Sequence, residues 1–291
     1  MKRVLTAVIL IPLVLADIFF APDWLVVLTV GLVATLAASE FLQLAEASGM
    51  APYRGVTVSL VAVGFATMAL FLARNRYADD AIALLTIGGI FFIPLVFLLL
   101  GLSKPELREA LPAAAVSYFT FYYIAFPLAC LVAIRRMEGG GPQADGRALL
   151  AIVLIVTWVG DIAAMYAGRA FGKHKLAPRI SPGKTIEGSV ASLVFAVIVC
   201  WALVQYALPR YLGEAETNVP TWVPIVLGVG LNIAAQLGDL AESAIKRGAG
   251  VKDSGTLLPG HGGVLDRIDA LLLAAPVGML ILLLTRDYFS R

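Results

Sequence analysis

The chain has 291 residues, of which 60% are hydrophobic and 14% charged, with a net charge of +2. Soluble domains carry roughly 25% charged residues, so this composition excludes an ordinary soluble fold; the net charge is uninformative by itself, and no nucleic-acid partner is expected. The mean hydropathy is +0.89.

A membrane-spanning helix needs about 20 mostly apolar residues. Runs of that kind recur along the whole chain and predict an all-α, polytopic integral membrane protein of about nine spans, near 3–21, 24–46, 55–73, 80–102, 113–134, 148–170, 188–208, 221–246 and 264–285. The alternating pattern of an outer-membrane barrel is absent. Lys2-Arg3 and the apolar run to Phe20 have the outline of a signal peptide but lack a small-x-small cleavage site, so they are read as a retained first helix. Polar, Gly/Pro-bearing stretches separate the spans, such as Glu138-Gly139-Gly140-Gly141-Pro142. No internal repeat is visible, which weighs against an inverted-repeat transporter. Cys130 and Cys200 sit in apolar runs with no metal-site spacing.

Placing the N-terminus in the cytoplasm puts most of the 22 Lys and Arg residues on the cytoplasmic side. The two longest cytoplasmic loops, 171–187 and 247–263, then hold both histidines, His174 and His261. This suggests two regions: N-terminal scaffold helices over 1–135, and a chemical region over 148–285 that carries the two loops.

The eighth span holds polar residues that lipid does not tolerate. Asn232, Gln236, Asp239, Ser243 and Lys246 follow at steps of 4, 3, 4 and 3, on one helix face. A carboxylate at membrane depth is costly unless paired, hydrated or metal-bound, so Asp239 is a candidate site residue. Asn232 and Gln236 fit a polar interhelical seam equally well. Of the other charges within spans, Asp17 is read as interfacial, and Glu40 is placed facing the bundle without a catalytic role.

A loop dense in glycine follows, from Lys252-Asp253-Ser254-Gly255 to Pro259-Gly260-His261-Gly262-Gly263. Glycines let backbone N–H groups approach a phosphate closely. Asp266 and Asp269 are then neighbours on one face of the ninth span. Carboxylates so placed suit Mg²⁺, which takes oxygen ligands and is commonly shared with substrate phosphates; an N-cap would account for one of the two. Upstream, Gly183-Lys184-Thr185 has the ending of a P-loop, but Pro178 stands where the first glycine is required. Lys184, the Ser181 and Thr185 hydroxyls and the following helix N-terminus still make a candidate phosphate site. Lys173, Lys175 and Arg179 fit either that role or the ordinary excess of positive charge on the cytoplasmic side. Neither histidine has zinc-site spacing.

The stretch Ser243-Ala244-Ile245-Lys246-Arg247, Lys252-Asp253 and Pro259-Gly260-His261-Gly262-Gly263-Val264-Leu265-Asp266-Arg267-Ile268-Asp269 resembles the signature of the phosphatidate cytidylyltransferase (CDP-diglyceride synthetase) family. Gly168-Arg169-Ala170-Phe171-Gly172-Lys173-His174 and Ser181-Pro182-Gly183-Lys184-Thr185-Ile186-Glu187-Gly188 are similar to two upstream blocks of the same family, and Asp161 to its acidic residue in the preceding helix. The likeness covers 155–270 closely; the first 130 residues match only in being hydrophobic. It implies transfer of the cytidylyl group of CTP to phosphatidate and a homodimer; with no organelle-targeting extension before Lys2, a bacterial inner membrane is expected, and the topology turns the site to the cytoplasm. Carried over, it implies Asp239, Asp266, Lys246, Arg267 and His261 as the catalytic set. Asp161, Ser181, Lys184, Thr185, Glu187, Ser243, Arg247, Lys252, Asp253, Gly262 and Gly263 become substrate contacts. Asp239 and Asp266, with Asp269, become ligands of Mg²⁺, with room for a second cation. The rival readings are a CTP-dependent polyprenol kinase and an anion transporter. The Asp-Gly-x-x-Ala-Arg block of CDP-alcohol phosphotransferases is absent.

Overall fold

A computed structural model describes residues 2–74, 89, 92–137, 145–257 and 262–289. Its helices are α1 (Lys2–Phe20), α2 (Asp23–Ala47), α3 (Arg54–Ala73), α4 (Phe92–Gly101), α5 (Leu107–Arg135), α6 (Gly146–Phe171), α7 (Ile186–Leu212), α8 (Trp222–Gly248), α9 (Leu265–Leu284) and the short α10 (Arg286–Phe289). Seven of these, α2, α3 and α5 to α9, are long and apolar enough to cross a membrane. Nine spans were expected. The described apolar parts of the other two, Leu10–Phe20 and Phe92–Gly101, are shorter than a span. Much of the expected fourth span, and the separator 138–142, lie outside the described residues.

The sequence suggests helices alone, but loop 171–187 also forms a small antiparallel hairpin, β1 (Lys175–Ala177) and β2 (Ser181–Thr185), pairing Lys175 with Thr185 and Ala177 with Ser181. Its turn closes through Ile180 N–H to Ala177 O at 3.1 Å. Five residues of polar, Pro- and Gly-bearing chain cannot continue a helix, and pairing satisfies their backbone groups locally.

The chain divides into two compact units. One comprises Met1–Ala129 and Ile245–Arg267, the other Cys130–Ala244 and Ile268–Arg291. In the first, α2 packs on α3 through a face of small residues: Ala34, Ala37 and Ala38 are fully buried beside Leu42. At Gly31 an added Cβ would lie 2.5 Å from Cβ of Phe65, so glycine is what allows that approach. In α5 a π-turn at Phe121–Ala125 shifts the helix face and buries Tyr123 and Ile124. Tyr123 meets Phe41 and Phe119, with ring centroids 5.6 and 5.3 Å away.

In the second unit α6, α7, α8 and α9 pack through buried Val153, Val156, Ala196, Cys200, Leu227, Leu231 and Leu272. Small residues again set the approach: a Cβ at Gly228 would meet Val197 Cα at 2.9 Å, and one at Gly278 would meet Leu231 Cδ2 at 2.8 Å. Val190, Val194 and Ile198 of α7 remain exposed at steps of four, the apolar outer stripe that a lipid-facing helix presents.

Candidate active site

In the second unit, α6 brings Asp161, α8 brings Asp239 and Glu242, and the break inside α9 brings Asp269. Asp161 and Asp269 each interact electrostatically with Asp239, and Asp269 also with Glu242. Glu242 is fully buried. Carboxylates that influence one another on apolar helices repel unless protons or cations neutralise them. Lys184 supplies one such charge: its Nζ lies 2.7 Å from Asp239 Oδ2, both side chains being about a quarter to a third exposed. The other Asp239 oxygen faces Ser243 Oγ at 3.3 Å.

Lys184 is aimed by the hairpin that carries it. Thr185, the next residue, is buried and caps α7, its Oγ1 accepting from Gly188 N–H at 3.2 Å. Glu187 accepts from the backbone N–H of His174 at 3.2 Å and meets His174 Nδ1 at 2.7 Å, strapping the start of the loop to its end. The glycines of the upstream blocks have a packing reason: a Cβ at Gly172 would stand 2.7 Å from Thr185 Cγ2, and one at Gly188 2.7 Å from Ala164 O. Ser181 stands at the far register pair of the hairpin, opposite Ala177.

The polar stripe of α8 divides along its length. Asn232 Nδ2 donates to Ser192 Oγ at 2.7 Å, and Gln236 Nε2 donates to Asn232 Oδ1 while Ser189 Oγ donates to Gln236 Oε1. These two side chains are committed to the α7–α8 seam. One turn on, Asp239 faces Lys184, and Ser243 donates to Asp239.

In the first unit, Lys246 and Asp266 form an ion pair with side chains only 11% and 6% exposed. Asp266 Oδ2 also accepts from Ser254 N–H at 2.9 Å, Ser254 Oγ at 3.0 Å and Gly263 N–H at 2.8 Å. Gly262 adopts φ +78°, and a Cβ there would overlap Asp266 Oδ2. Lys252, Asp253, Arg247 and Arg267 are exposed around this knot, with Arg247 donating to Val251 O at 3.0 Å. His261 lies outside the described residues.

One residue of this unit did not enter the sequence-based set. Glu40, 6% exposed, accepts from Val264 N–H at 2.9 Å, Leu265 N–H at 2.8 Å and Ser254 Oγ at 2.9 Å. The signal was a carboxylate within an apolar helix. Its partners, more than 200 residues away, are not encoded locally.

Among the described residues, no three of His, Cys, Asp and Glu are grouped so as to hold a metal by themselves. Mg²⁺ is usually bound by one or two carboxylates, with waters and substrate phosphates completing its shell. Asp239, with an acidic neighbour in Asp161 or Asp269, offers oxygen donors of that kind, so the donor chemistry fits.

The model of the cytidylyltransferase family matches residues 1–285. The chain is 34% identical to a phosphatidate cytidylyltransferase of Haemophilus influenzae over 94% of this chain and 96% of that one. It is 32% identical to one of Pseudomonas aeruginosa over 95% and 94%, and 33% identical to one of Staphylococcus haemolyticus over 79% and 91%. Apolar helices of crossing length, a carboxylate cluster met by a lysine strap and these relatives together define a polytopic membrane nucleotidyltransferase. The chain belongs to the cytidylyltransferase family.

Proposed function

We propose that the protein transfers the cytidylyl group of CTP to phosphatidate, giving CDP-diacylglycerol and pyrophosphate. A phosphate oxygen of the lipid attacks the α-phosphorus, the bond to the bridging oxygen of the β-phosphate breaks, and pyrophosphate leaves in line. Such chemistry depends on positioning and charge neutralisation. Phosphatidate is already ionised near neutral pH, so no general base is needed for the attack.

The observation that carries the reading is the Lys184–Asp239 pair beside Asp161 and Asp269, in a chain alike to phosphatidate cytidylyltransferases along nearly its whole length. Carboxylates able to share a cation with phosphates, and a lysine beside them, are what two polyanionic substrates require. Lys184, with Ser181, contacts phosphate oxygens. Lys246, Arg247, Lys252 and Arg267 clamp the triphosphate and the lipid head group, the arginines through paired N–H groups. His261 orients substrate rather than taking a proton. Asp239 and Asp269 are the proposed magnesium ligands, with Asp266 a further candidate whose Oδ1 carries Lys246 in this structure. Magnesium, when bound, offsets charge on the phosphates and on the departing pyrophosphate. The protein is proposed to act as a homodimer in a bacterial inner membrane, its loops in the cytoplasm where CTP is found. The positive-inside balance supports that orientation.

The test uses purified protein in detergent with phosphatidate, Mg²⁺ and CTP labelled at either the α- or the γ-phosphate. Movement of α-label into a chloroform-soluble CDP-lipid is the expected result. Transfer of γ-label alone would mean a lipid kinase and overturn the proposal.

A further inference from the structure

Glu40 makes more contacts than a helix cap requires. A capping side chain satisfies one or two N–H groups at one helix start. Glu40 takes two at the start of α9, from Val264 and Leu265, and also the hydroxyl of Ser254, ten residues earlier. Ser254 and the Val264–Leu265 end are therefore tied to one carboxylate on α2, and such a closure carries an entropic cost that the contacts must offset.

The glycines at each end are fitted to that carboxylate. A Cβ at Gly255 would stand 2.7 Å from Glu40 Oε1, and one at Gly263 would overlap both Glu40 Oε2 and Ser254 Oγ. The loop backbone lies directly on Glu40, so part of the glycine pattern of the signature is set by a residue outside it. Ser254 joins Glu40 to Asp266 as well, its Oγ lying 2.9 Å from one carboxylate and 3.0 Å from the other. A hydroxyl has one proton and donates to one of them at a time. Lys246 and the Gly263, Val264 and Leu265 amides supply the remaining positive charge for this knot. Lys252 and Asp253, immediately before Ser254, are exposed. Two residues of chain span at most about 7 Å, so the anchor at Ser254 decides where that pair is presented.

We propose that Glu40 is a positioning residue of the transfer reaction, holding Ser254 and the Val264–Leu265 amides from α2 so that Lys252 is presented to the phosphates of the nucleotide. The inference rests on the proposed cytidylyl transfer. Glu40 itself touches no substrate.

The test compares wild type with Glu40→Ala, Glu40→Gln and Ser254→Ala in the purified full chain. Hydrogen–deuterium exchange reads the loop without reference to catalysis, and KM for CTP is independent of the fraction of protein that is folded. In Glu40→Ala, exchange over 251–257 and 262–268 rises while the hairpin 175–185 is unchanged, and KM for CTP rises about tenfold or more. Glu40→Gln gives a smaller rise, because its amide oxygen still accepts one backbone N–H. Unchanged loop exchange overturns the proposal. So does loss of activity in proportion to folded protein with KM unaltered, which is what a purely structural residue gives. Where Glu40→Ala does not fold, Glu40→Gln and Ser254→Ala decide by the same two readouts. If wild type transfers no α-label, the reaction assignment falls with the inference built on it, while exchange still shows whether Glu40 anchors the loop.

Discussion

The hairpin loop 171–187, with three Lys and two Pro, and the glycine loop 247–263, with six Gly, are held in opposite ways. The hairpin is self-contained. His174 meets Glu187, Ile186 N–H bonds back to His174 O at 2.9 Å, and Thr185 caps the helix that follows. The glycine loop depends on a remote residue, since Ser254 within it and the Val264 and Leu265 amides just beyond it lie on Glu40 of α2. Neighbours within about a dozen residues close the first at small entropic cost. The second gains its order only after distant parts of the chain have packed. The two loops therefore differ in what disturbs them.

The sharpest way to break this contrast is Gly263→Ala. The added methyl overlaps Glu40 and Ser254 at once, so we expect CDP-lipid formation to fall about a hundredfold or more, measured as α-label transfer per folded molecule. Combining it with Glu40→Ala removes part of the clash, and the double variant should lose less than the product of the two single losses. Next in size is Lys184→Met, which removes the cation facing Asp239. Loss of one preorganised charge of this kind typically costs about a hundredfold in kcat; loop exchange over 251–265 should not change. Glu187→Gln weakens the strap while leaving the hairpin's backbone pairing intact, and a decrease of less than about tenfold in kcat/KM is expected. The smallest effect belongs to Asn232→Ala. It removes the interhelical bond to Ser192, worth about 0.6 kcal/mol for an average such bond in a membrane, and the acceptor of Gln236 Nε2, so Tm in detergent should fall modestly with activity per folded molecule retained.

The α8 stripe shows where reading from sequence reaches its limit. Steps of four and three place Asn232, Gln236, Asp239, Ser243 and Lys246 on one face, because a helix repeats every 3.6 residues. That face serves three purposes. Asn232 and Gln236 hold a seam with Ser189 and Ser192, Asp239 meets Lys184, and Lys246 meets Asp266. Periodicity specifies a direction around the helix axis and says nothing of what stands opposite at each level. Glu242, just off the stripe, is fully buried and belongs to the electrostatics of Asp269.

The amino-acid sequence by itself determined the solvent of this protein, its helical character, and the family to which its loops belong. Each of these is written in composition, in apolar run length or in contiguous motifs, and bilayer thickness and backbone hydrogen bonding leave few other solutions. The tertiary structure alone decided that segment Ile245–Arg267 forms a compact unit with the N-terminal helices, that Lys184 pairs with Asp239, and that Glu40 carries Ser254 and the Val264 and Leu265 amides. These are pairings between groups dozens to hundreds of residues apart. An isolated carboxylate in an apolar helix announces that it must have partners, because burying a bare charge is too costly. Which partners it finds depends on where the folded chain brings their donors.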